Sequence, residues 1–151
     1  MREARGLSPR AELELALPDG PGELFVGFRG ESLSLYFGQD LAFHFNARGD
    51  LRRAFAEERL LKADGGRLVA MRRERTHTES LLVSRVLDDA STAELLGDLE
   101  RRLRELAELL AAGAYRVVGE VPADSGVVEK LQTWLAARTS LIVIAASPHV
   151  G

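Results

Sequence analysis

Cysteine is missing from all 151 residues. Its absence removes disulfides, thiolate nucleophiles and cysteine-based zinc or iron–sulfur centres together, and it fits a reducing, cytoplasmic setting. Long apolar runs are missing too: the most apolar stretch, "LIVIAA" at residues 141–146, is far short of the roughly 20 residues that span a bilayer. No membrane partner is therefore expected, and the segment "MREARGLSPR" has no apolar core of the kind a secretory signal carries. Aromatic residues make up only 6% of the chain, and neither sign of charge prevails, with 20 Lys and Arg against 23 Asp and Glu and a formal net charge of -3. The molecule as a whole thus has no electrostatic pull toward nucleic acid or acidic lipid. Phosphate loops, dinucleotide fingerprints and nucleophile elbows are also missing, so no cofactor is expected.

What is present is patterning. A chain of this length can bury most of its apolar surface as one domain, residues 1–151, with residues 1–10 expected as a frayed tail. The first half alternates short apolar segments with turn chemistry. "AELELAL" (11–17), "LFVGF" (24–28), "SLSLYF" (32–37) and "LAFHFN" (41–46) are separated by "PDGPG", "RGE" and "GQD", which predicts antiparallel strands joined by tight reversals. Further strands are expected over 51–55, 59–63, 67–75 and 80–87, with "AEE" at Ala56 to Glu58 as the one junction lacking turn residues.

The period then lengthens. Ser91 and Glu94 have the spacing of a capping box, and Leu96, Leu99, Leu103, Leu106 and Leu110 recur every three or four residues until Gly113, a C-cap candidate. A strand over 115–121, a second helix over 124–138 capped by Asp124 or Ser125, and a buried strand over 141–146 are expected to follow. The fold class is therefore α+β: an antiparallel meander of seven or eight strands, covered by two helices, with two further strands in the C-terminal third.

Candidate chemistry concentrates in "FHFNARGDLRRAF", residues 43–55. The triplet Arg48, Gly49 and Asp50 resembles the adhesion tripeptide read by integrins, but Asn46 and Gly49 also fit a three-residue hairpin loop with a left-handed glycine. That loop places Phe45 opposite Leu51 and Leu41 opposite Phe55. Phe43, Phe45 and Phe55 then belong to the core, while His44 and Arg52 face each other on the other side.

Residues 48–75 hold nine basic side chains against five acidic ones, a balance of +4, whereas residues 88–108 hold seven acidic against three basic. The expected function is a non-enzymatic binding module whose basic sheet face, formed by His44, Arg52, Arg53, Arg67, Arg72, Arg73 and Arg75, holds nucleic acid or another polyanion. Two alternatives belong to other classes. The leucine-striped helix could mediate a homodimer or scaffold. His44 and His77, with neighbouring carboxylates or His149, could bind a metal in a small hydrolase or nuclease.

Overall fold

The computed structural model describes residues 10–16, 23–118, 126–137 and 142–145. Eight strands follow one another as a meander: β1 (Arg10–Ala16), β2 (Glu23–Arg29), β3 (Ser32–Phe37), β4 (Leu41–Phe45), β5 (Leu51–Ala56), β6 (Arg59–Asp64), β7 (Arg67–Arg75) and β8 (Ser80–Val86). Helix α1 (Asp89–Ala112), strand β9 (Arg116–Val118) and helix α2 (Val127–Ala137) complete the described elements. Every ladder in the sheet is antiparallel, in the order β8-β7-β6-β5-β4-β3-β2-β1-β9. The chain is thus α+β, as its strand and helix periods require.

Alternation within the strands divides the sheet into two faces. Leu24, Val26 and Phe28 of β2, Leu33, Leu35 and Phe37 of β3, Phe43 and Phe45 of β4, and Leu61 of β6 form one buried face. Both helices cover it. Leu99, Leu103, Leu106 and Leu110 of α1, and Val127, Leu131, Trp134 and Leu135 of α2, complete the core, with Phe45 and Trp134 in edge contact at 4.7 Å. Burial of each such leucine is worth about 1.5–3 kcal/mol, so the stripe that stood out in the sequence is taken up by the molecule's own core rather than by a partner helix.

Helix α1 starts earlier than the Ser91–Glu94 spacing suggested. Asp88 is the N-cap, in extended conformation, and its carboxylate accepts the Ser91 N–H at 2.6 Å. That bond holds the Asp88 carboxyl below the usual carboxylate range. At the other end Gly113 is left-handed with φ 68°, and the N–H groups of Gly113 and Ala114 return to Leu110 and Leu109. The cap expected at Asp124 or Ser125 lies outside the described residues, as do residues 1–9 of the expected tail and His149, while Arg10 opens β1.

The C-terminal third departs from expectation. Strand β9 is described over Arg116–Val118, residues 119–121 of the expected strand lying outside the described residues, and residues 142–145 form no strand; they make a single parallel bridge between Ile144 and Leu51. Leu51 donates its N–H to Val143 and accepts from Ala145, while Gly66 donates to the Ala145 carbonyl. The segment thus links the start of β5 to the turn between β6 and β7.

The β5–β6 junction, featureless in sequence, is a two-residue reversal: Ala56 pairs with Arg59, and Glu57 and Glu58 have φ of 53° and 60°. Left-handed backbone costs an ordinary L-residue roughly 1–2 kcal/mol. Cross-strand pairing on both sides holds the two glutamates there nonetheless.

Candidate functional site

The face of the sheet opposite the helices carries a groove of about 630 Å³, a volume within the range of small-ligand sites. Its position follows from the β3–β4–β5 hairpins. Asn46 Oδ1 accepts the N–H groups of Arg48 at 3.0 Å and Asp50 at 2.9 Å, the Gly49 N–H bonds the Asn46 carbonyl, and Gly49 takes φ 89°. The Arg48–Gly49–Asp50 triplet is the loop itself, with Arg48 and Asp50 paired at 3.6 Å.

The loop sets Phe45 opposite Leu51 as the turn chemistry demands, but the register then shifts. A bulge between His44 and Phe45 gives β5 one extra residue, so His44 stands opposite Arg53, Ala42 opposite Phe55 and Leu41 opposite Ala56. Two expectations are corrected by that one residue. His44 faces Arg53 rather than Arg52, and Phe55 turns to the open face, half-buried, while Ala54 and Ala56 enter the core. Alternation is strict along a strand, so a single inserted residue reverses the faces of everything beyond it.

On the open face one row crosses the sheet as Gly27, Ser34, His44, Arg53, Lys62 and Val69. The next row reads Phe25, Tyr36, Ala42, Phe55, Leu60 and Met71. Gly27 supplies the groove floor by lacking a side chain; a Cβ there would meet only the Phe25 ring, at 3.9 Å. Phe25 and Tyr36 have ring centroids 5.7 Å apart, and Tyr36 and His44 meet edge-on at 5.4 Å. Arg29, Arg52 and Arg53 line the same groove, with Ser32 and Ser34. Neither Arg29 nor Arg53 has a carboxylate partner among the described residues.

His44 Nδ1 lies 2.8 Å from Ser34 Oγ across the β3–β4 ladder. Burial lowers the His44 pKa from its ordinary value, and the neighbouring Arg53 charge lowers it further. The imidazole is therefore neutral near pH 7, and an anion in the groove would favour its protonation. By backbone register Glu12 of β1 stands three strands from His44 in the same row.

The other basic residues divide between faces. Arg67, Arg73 and Arg75 share the parity of Val69 and lie on the open face, outside the groove. Arg72 has the opposite parity and pairs with Glu74. The single basic face expected from charge counting is thus divided: Arg52 and Arg53 line the groove, Arg67 stands at one end of β7 and Arg73 and Arg75 at the other, and Arg72 lies on the opposite face. His77 lies in the β7–β8 connection, three strands from His44, and no group of three His, Asp or Glu side chains among the described residues could hold a metal.

Sequence reading missed Arg29, Phe25 and Tyr36. Their signal was available as alternation: Phe25 and Tyr36 stand between core residues of β2 and β3, and Arg29 follows the core residue Phe28 at the end of β2. No family model matches the chain, and no curated protein or solved structure was found that resembles it.

Proposed function

We propose that the chain is a binding module that takes single-stranded nucleic acid across the open face of its sheet. One observation carries the reading: rings on three neighbouring strands, Phe25, Tyr36 and His44, stand in a groove with Arg29, Arg52 and Arg53. Exposed rings stack on bases of any sequence, and guanidinium groups along them engage phosphates and release counterions. A net charge of -3 does not oppose this, because the acidic excess lies on α1, on the far side of the sheet. Other polyanions share the charge but have no bases to stack, and so would use only half of the groove.

The test is fluorescence anisotropy with a labelled oligothymidylate, competed by unlabelled oligonucleotide, duplex DNA and heparin. Single strands should compete best. Tyr36→Ala should weaken binding by about 1–3 kcal/mol, the usual worth of one stacked base. Gly27→Leu should block the groove without altering charge, since its backbone is free of left-handed strain. Equal competition by heparin together with an unaffected Tyr36→Ala variant would reduce the site to a plain anion patch, and no binding at low salt would refute the proposal.

A further inference from the structure

Among the described residues, strand β8 ends the sheet and pairs only with β7. The Leu87 N–H bonds the Leu68 carbonyl and the Glu79 carbonyl accepts the Thr76 N–H, so odd-numbered residues of this strand turn their backbone groups inward. By alternation, Ser80, Leu82, Ser84 and Val86 point their N–H and C=O groups away from the sheet. The strand has neither proline nor bulge, and Arg85 is its one charge. Leu81, Leu82 and Val86 are 47%, 58% and 46% exposed. Edge strands of soluble proteins are ordinarily guarded by charges, prolines or bulges, and a bare apolar edge is a template for another strand.

We infer that this edge joins a second copy of the chain, β8 against β8, in an antiparallel twofold dimer with Leu82 on the axis. Self-pairing closes by symmetry and uses up the β8 edge of both copies. Residues that face each other must share a sheet face, which leaves registers that differ by whole residue shifts of the axis. With Leu82 on the axis, Ser80 meets Ser84, Leu81 meets Val83, and Glu79 meets Arg85 of the second copy. Moving the axis to Val83 sets Arg85 against Leu81, and moving it to Leu81 sets Glu79 against Val83. Only the Leu82 register opposes unlike charges, twice by symmetry, while burying the exposed leucines. The contact is distinct from the α1 stripe, which is closed within the core, and does not depend on nucleic-acid binding.

Light scattering coupled to size exclusion on the full chain should give twice the monomer mass at high concentration. Leu82→Lys should return it to monomer with an unchanged far-UV spectrum. Glu79→Arg should weaken the dimer about tenfold by setting like charges opposite each other, and the double exchange Glu79→Arg with Arg85→Glu should restore it. The cysteine-free chain permits a cleaner check. Leu82→Cys should oxidise to a symmetric disulfide dimer, since directly opposed strand residues lie within disulfide range, and Ser80→Cys should crosslink with Ser84→Cys but not with itself. A chain monomeric at every concentration, a dimer that persists in Leu82→Lys, or Leu82→Cys oxidising no faster than Gln39→Cys in the β3–β4 turn would each overturn the inference.

Discussion

Arg53 and Arg72 are nineteen residues apart in a segment of excess positive charge, and they separate a site from a surface. Arg53 lines the groove without a carboxylate partner among the described residues, whereas Arg72 lies on the opposite face beside Glu74. Each phosphate neutralised on a single strand adds about -0.7 to the slope of log K against log salt. If Arg29 and Arg53 each hold one phosphate, their share of the slope is about -1.4, so a fourfold rise in salt costs about sevenfold in affinity. Arg53→Ala should halve that share, to about -0.7, and the corresponding loss to between two- and threefold. Arg72→Ala should leave the slope where it was. The assay is the anisotropy titration repeated over a salt series for the two variants and the parent. Equal changes of slope would show that net charge, not the groove, governs binding; an unchanged slope in Arg53→Ala would remove that residue from the contact. The same variant has a second readout. Loss of the Arg53 charge should raise the His44 pKa, measured by NMR titration, yet leave it below the ordinary value, because burial is the larger cause of the depression.

Three further outcomes are expected. Between the ordinary histidine pKa and the lower folded value, the unfolded chain binds more protons at His44 than the native one. Stability from this group is therefore complete above about pH 6.5 and lost as pH falls toward the folded value; denaturant melts of His44→Gln should show a shallower decline there, and a parallel decline would refute the linkage. Replacing Glu57 and Glu58 by Asn and Gly relieves two left-handed glutamates and should stabilise by about 1 kcal/mol. The loss of the exposed Glu57–Arg59 pair, at 3.1 Å, takes back only a few tenths of a kcal/mol, and a fall in urea midpoint would show that the turn is not strained. Leu103→Ala, at 1% exposure in the centre of α1, should cost about 2–5 kcal/mol while leaving the oligonucleotide affinity of the folded fraction intact, since the helix lies across the sheet from the groove.

Sequence alone determined whatever depends on neighbours along the chain. Asn46 and Gly49 specified their loop because a carboxamide oxygen and a left-handed glycine act within five residues. The leucines of α1 specified a buried helix face because 3.6 residues make a turn. Alternation in β2 to β4 specified core residues because consecutive side chains point to opposite faces.

Tertiary structure decided what depends on which strand is alongside. The bulge at His44 and Phe45 has no distinctive residue; docking of residues 142–145 on Leu51 accompanies it, and it gave Arg53 rather than Arg52 to His44 and moved Phe55 out of the core. The gathering of Arg29, Tyr36, His44 and Arg53 into one groove came from ladders that join residues 29 to 53 across four strands. Charge counting could find the arginines, but it could not sort them by face, since parity across a sheet is counted through every intervening turn and one extra residue reverses it.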